Sequence, residues 1–202
     1  MIRVDGLRAM EIENLIEEFH NGLNGRITAV ELGDSVSVYF ECDDWIKENV
    51  VRKFKITCIS VKESTVAISA VDSIDFTQSD PVLWNHNEEH GYLYYSSECE
   101  NNYELLGRLW EAHEKVYAGL RPLSECINAT KSGGHIEFCK GAFGQLAAGP
   151  RPILNVYEVV IANKLATNFV PSYKPEGGFS ALFFDNLFIV CKVVVVEELN
   201  SA

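Results

Sequence analysis

The chain has no C-x-x-C pair, no G-x-S-x-G serine elbow and no G-x-x-x-x-G-K-[ST] phosphate loop. The first absence argues against a zinc ribbon or a thioredoxin-like redox pair, the second against an α/β-hydrolase, the third against a P-loop nucleotide site. Lys131-Ser132-Gly133-Gly134 has the wrong order for a P-loop ending. The glycines between Gly141 and Pro150 read instead as a flexible connection or lid.

Basic residues are also scarce. Lys and Arg number 17 against 29 Asp and Glu, a formal charge of −12. Nucleic acid and anionic membrane surfaces both need cations, so neither is expected as a partner. A basic protein partner is compatible with this charge. The excess is concentrated early: positions 1–100 hold 8 basic and 19 acidic residues.

No uninterrupted apolar span is long enough for a membrane helix. The longest candidate, 179–196, is broken by Asp185-Asn186 and contains Lys192. A carboxylate at the bilayer centre is costly, whereas Asp-Asn between β-favouring runs signals a turn. The stretch reads as a hairpin of 179–184 with 187–196. Such an apolar hairpin needs cover on both faces, from its own sheet or from a second copy, so a homodimer through it is one expectation. Asp5, Arg8, Glu11 and Glu13 stand where a leader would be apolar. With six cysteines at 42, 58, 99, 126, 139 and 191, the expectation is a cytoplasmic protein with reduced thiols.

A hydrophobic fraction of 47% with 23% charged residues is ordinary for a globular protein. A single domain over 1–202 is expected. The polar, glycine-rich stretch 128–134 is the best boundary if the chain divides, separating an α/β-meander part (1–128) from a β-rich part (135–202).

Periodicity gives the elements. Ile12, Leu15, Ile16 and Phe19 share a helical face, predicting a helix over 7–21 ended by Gly22. Strands follow at 26–32, 35–42, 51–61 and 65–71, joined by connections too short for parallel crossovers. A second helix over 102–118 carries Leu106, Leu109, Trp110, His113 and Tyr117 on one side. Its Glu104–Arg108 and Glu111–Lys115 pairs sit outside. Gly119 and Pro122 end it. Later strands are short at 135–140 and β-branched at 153–165, where a helix remains an alternative. The fold class is α+β, a mainly antiparallel sheet with the helices 7–21 and 102–118 packed on it.

One string spells a catalytic pattern. His86-Asn87-Glu88-Glu89-His90 reads H-x-x-E-H, the inverted zinc-peptidase order. On a helix, His86 and His90 would ligate zinc and Glu89 would take a proton from its water, with Glu111 or Glu114 as a third ligand. Asp80 and Pro81 could open such a helix and Gly91 close it. The competing reading makes 82–84 and 92–95 two strands with a polar loop between them. In a loop the shared face disappears, and that reading is preferred.

No metal, cofactor or catalytic residue is therefore expected. His113 sits centrally on an apolar helix face and reads as a core histidine rather than a base. Asp43-Asp44-Trp45 reads as a polar turn rather than a cation site. Trp84, Tyr92, Tyr94, Tyr95, Tyr103 and Trp110 crowd around the histidine string and the second helix. Tyrosine and tryptophan bury area while keeping a polar tip, so they suit pocket walls and interfaces. The binding candidates are Trp84, His86, His90, Tyr92, Tyr94, Trp110 and His113. Two functions fit. One is a non-catalytic protein-interaction module with an acidic first half. The other is a small-molecule binder with a pocket between the sheet and helix 102–118, gated by 85–91 and 141–150.

Overall fold

The structure is a computed structural model that describes residues 8–20, 24–44, 50–127, 129–132 and 135–199. Leu7, Asn21-Gly22, Trp45, Asn128 and Gly133-Gly134, to which expectations were attached, lie outside the described residues. In chain order the first elements are β1 (Arg8–Met10), α1 (Ile12–His20), β2 (Gly25–Leu32), β3 (Ser35–Asp43), β4 (Val51–Ile59), β5 (Glu63–Ser64), β6 (Ser69–Val71) and β7 (Ile74–Thr77). A 3₁₀ turn at Pro81–Leu83 leads into α2 (Trp84–Asn87), β8 (His90–Tyr95) and α3 (Asn102–Tyr117). Then come β9 (Thr130–Ser132), β10 (His135–Glu137), β11 (Gly144–Pro150), α4 (Arg151–Ile161) and β12 (Thr167–Tyr173). The chain closes with β13 (Ser180–Phe184), β14 (Leu187–Cys191) and β15 (Val193–Leu199). The class is α+β with antiparallel sheets.

Two compact units form, one discontinuous: Met1–Asp80 with Gly178–Ala202, and Pro81–Gly177. The first holds 18 of the acidic and 9 of the basic residues, so most of the excess negative charge is its own.

In the first unit, β3 and β4 follow the alternation that one buried face demands. Val36, Val38 and Phe40 point inward and stand opposite Cys58, Ile56 and Phe54. The expected meander holds from β2 to β4 and then departs. Only Ser69–Val71 of the predicted strand 65–71 is extended; Glu63–Ser64, just before it, forms a short strand of its own, and the two join different sheets. The place beside β4 goes to β15, whose valine run pairs from Val193↔Ile59 to Leu199↔Lys53. Both sheets and α1 share one core that includes Leu15, Phe40, Phe54, Phe184 and Ile189. Helix α1 starts later than predicted, because Arg8–Met10 pairs with the free edge of β15 instead.

The apolar C-terminal run forms three strands in two sheets, β13 and β14 in one and β15 in the other, with the switch at Lys192. β13 is buried along its whole length between β14 and β7, so for this strand the cover expected of the hairpin comes from the chain's own sheet. The Asp185-Asn186 turn forms as expected. Asp185 is left-handed (φ 55) and accepts hydrogen bonds from the Asp72 and Ser73 amides and the Ser73 hydroxyl, the shortest at 2.8 Å.

In the second unit, β8 lies between β11 and β12. Helices α3 and α4 pack on its Leu93 and Tyr95 side around Leu105, Leu109, Leu154 and Tyr157. Helix α3 is capped as its sequence dictates: Asn101 accepts from the Glu104 amide, and Ala118 is left-handed. Its buried stripe is Leu105, Leu109, Ala112, His113 and Tyr117. The predicted stripe was displaced at two positions: Leu106 is only half-buried and Trp110 is 56% exposed.

Helix α4 corrects the strand expected at 153–165. Ile153, Leu154, Tyr157 and Ile161 recur with helical spacing, and Pro152 suits a first turn. Periodicity there overrides the β-preference of the branched residues. Residues 82–84 are likewise not a strand. Pro81 opens a tight turn that buries Val82 and Leu83 completely. The 141–150 stretch, read as a loop, is largely the edge strand β11, with a bulge between Gln145 and Ala147.

Candidate functional site

Strand β8 determines the site. Its sequence, His-Gly-Tyr-Leu-Tyr-Tyr, alternates two kinds of surface. Leu93 and Tyr95 enter the core under the helices, so His90, Tyr92 and Tyr94 must face the other way. The neighbouring strands add Ala148 and Val170 opposite Tyr92, and Gln145 and Asn168 opposite Tyr94. None of the three strands contains an Asp, Glu, Lys or Arg. This face is therefore aromatic and neutral within an acidic chain.

The rings are ordered along it. His90 stacks on Tyr173 with centroids 4.6 Å apart and planes 20° from parallel. Tyr92 leans on Tyr94 at 6.3 Å, and Tyr94 lies nearly parallel to Phe143 at 5.9 Å. At the His90 end a half-open pocket of about 450 Å³ is lined by Asn85, His90, Tyr92, Glu125, Cys126 and Tyr173, among others. No lysine or arginine is among its lining residues.

Backbone geometry brings the strands this close. A Cβ on Gly91 would stand 2.3 Å from the Phe169 ring and 2.5 Å from the Val170 carbonyl. Only glycine lets β12 reach β8 here. The Arg151 guanidinium lies 3.8 Å from the Phe169 ring centre, holding that ring in place.

The His90 Nε2–H donates to the Asn85 carbonyl at 3.1 Å. Burial holds its pKa below the ordinary imidazole value, and His86 nearby pushes the same way against that hydrogen bond. His90 is thus neutral near pH 7. The Cys126 thiol is pushed up to about 11 by burial, which keeps it protonated and a poor nucleophile. The pocket can stack and hydrogen-bond, and its lining carries no cation; His90 and Cys126 offer no activated nucleophile.

The H-x-x-E-H string does not form one helical face. His86 is in the single turn of α2, Glu88 is extended (φ −107, ψ 157), and His90 opens β8. The preferred loop reading is corrected as well, since helix and strand divide the string between them. Among the described residues, no group of three or more His, Cys, Asp or Glu is placed to hold a metal. Glu111 is engaged by Lys115 at 2.6 Å.

The other candidates separate. Tyr92 and Tyr94 belong to the aromatic face. His113 is fully buried. Its Nε2–H donates to the Arg121 carbonyl at 2.8 Å, so Nδ1 accepts from the Tyr157 hydroxyl at 2.7 Å. Trp84 packs edge-on against Tyr117 in the same interior cluster. Trp110 lies exposed on α3 and lines none of the pockets described. The space between the sheet and α3, expected to be a pocket, is filled by Leu93, Tyr95, Leu105 and Leu109.

Sequence reasoning missed Tyr173, Glu125 and Cys126, and reached Asn85 and Phe143 only as members of the gating segments 85–91 and 141–150. A signal existed only for Tyr173: its strand is uncharged and rich in β-formers.

No family model matches this chain, and neither the curated proteins nor the solved structures yield a match. Among the described residues no helix is long and apolar enough to cross a membrane.

Proposed function

We propose that this is a non-catalytic binding protein that takes a small, uncharged polar ligand in the pocket at the start of β8. The carrying observation is the pocket itself. The stacked His90–Tyr173 pair forms part of a cavity of about 450 Å³, within the range of small-molecule sites, whose one charged lining residue, Glu125, is paired with Arg121. Flat rings supply contact area, and Asn85, His90 and the Tyr173 hydroxyl supply orientation. A neutral histidine and a protonated thiol support binding rather than catalysis.

The test is ligand-observed NMR on the whole chain with a library of neutral, anionic and cationic fragments. Neutral polar fragments should give saturation transfer that disappears in Tyr173→Ala. Hits that are mainly anionic, or that survive Tyr173→Ala, contradict the reading.

The charge of the first unit favours a second reading, in which that unit docks a basic protein partner. Such binding should weaken steeply between low and physiological salt. Five buried and one half-buried free cysteine are compatible with a reducing, cytoplasmic setting.

A further inference from the structure

The pocket accounts for only one end of the aromatic face. Tyr92, Tyr94 and Phe143 continue from it along β8, and Phe143 is 70% exposed while Tyr173 at the pocket end is 56% exposed. Soluble proteins seldom leave aromatics contiguous and uncovered without a use. Same-face residues on a strand repeat about every 6.7 Å, so His90, Tyr92 and Tyr94 span about 13 Å. A pocket for one small molecule does not need that length. A short chain of rings does.

We infer that the ligand is an uncharged oligosaccharide lying along β8, with one sugar in the Tyr173 pocket and the next ones over Tyr92 and the Tyr94–Phe143 pair. This rests on the pocket reading above and names its ligand class. Three features select sugar. A pyranose has an apolar C–H face that settles on the negative face of an aromatic ring. Its hydroxyls both donate and accept, and the side-chain amides of Gln145 and Asn168 do the same on either side of Tyr94. The three strands also carry no charge, which suits a polymer that has none.

The leading competitors fit less well. A single-stranded nucleic acid would stack equally well on these rings, but its phosphates need cations. Neither the strands nor the pocket lining supplies one, and Glu125 places a carboxylate at the site. A peptide adding to the sheet edge would meet Pro171 in β12 or the bulge in β11.

The experiment is calorimetric titration of the full chain with β-1,4-glucan, α-1,4-glucan and N-acetylglucosamine series, each from monosaccharide to hexasaccharide. Hexauridylate and decaproline are run beside them. One sugar series should bind, with affinity rising about tenfold or more from one unit to three and then levelling as the face fills. Tyr94→Ala and Phe143→Ala should weaken the trisaccharide about fivefold to tenfold and leave the monosaccharide unchanged. Tyr173→Ala should weaken both. Phe143 is exposed enough that its loss leaves the fold intact, as a thermal melt will show. A monosaccharide that binds and is lost in Tyr173→Ala, with no gain on lengthening, overturns the extended site and leaves the pocket reading standing. Tighter binding of hexauridylate or decaproline, or no sugar binding, overturns the ligand class. If neutral fragments also ignore Tyr173→Ala, both readings fall.

Discussion

Replacing Gly91 by alanine tests the packing on which the site depends. The added methyl would stand 2.3 and 2.5 Å from two Phe169 ring carbons and 2.5 Å from the Val170 carbonyl oxygen. Ordinary carbon contacts are about 3.5–4.0 Å, so neighbours must retreat by more than an ångström. The ring cannot simply swing away, because Arg151 lies against it. The carbonyl belongs to the β8–β12 ladder, where Val170 stands opposite Tyr92. Overpacking of this kind costs typically 1–3 kcal/mol, and a backbone contact places it at the upper end, about 3 kcal/mol. For a unit of this size that lowers the midpoint by about 10–20 °C. Urea denaturation followed by tryptophan fluorescence is the assay, since Trp84 and Trp110 both report on this unit. Gly91→Ala/Phe169→Ala should lose the ring clash and retain the carbonyl one, giving a non-additive cycle. A Gly91→Ala protein within 0.5 kcal/mol of the parent would refute the registered packing of β12 on β8.

Three further outcomes follow from named contacts. Tyr157→Phe removes the only donor shown to the buried Nδ1 of His113, and should cost about 1–3 kcal/mol in a urea titration. Asp185→Ala loses the acceptor for Asp72 and Ser73 and leaves alanine in a left-handed turn. It should cost about 2–4 kcal/mol by circular dichroism, with Asp185→Asn milder because asparagine tolerates that conformation. His90 has a lower pKa in the fold than in the unfolded chain, so below about pH 6.5 the unfolded state binds the extra proton and stability falls. The loss is complete once pH is below the folded value. The urea midpoint should decline as pH falls below about 6.5, and His90→Gln should remove the His90 part of that decline.

Several elements were legible because one local physical rule dominated. Val36, Val38 and Phe40 alternate since one face of β3 is buried, and Gly119 marks the end of α3 directly after its C-cap Ala118. Asp185-Asn186 could hardly be anything but a turn. What escaped was non-local. That Val193 to Leu199 would take the place beside β4 depends on a pairing across most of the chain. The return of the chain to its first unit at Gly178 has no local signature either. In α4 the competition was between β-branched composition and helical spacing, and spacing won through Leu154 and Tyr157.

The site was half legible for the same reason. His90, Tyr92 and Tyr94 drew attention as an aromatic run beside a histidine string, and the alternation of β8 explains why they face one way. Their ring partners Tyr173 and Phe143 come from distant segments that only register brings alongside. Trp110 and His113 were grouped with them because helical periodicity gives a face but not its edges. One side chain proved exposed and the other sealed.

The most direct test of the central claim is an aromatic NMR titration of tyrosine-labelled protein with the neutral ligand that binds best. The account predicts shifts concentrated on Tyr92, Tyr94 and Tyr173, with the buried Tyr117 and Tyr157 unmoved. Shifts centred on Tyr39 in the first unit, or spread evenly over all tyrosines, would contradict it.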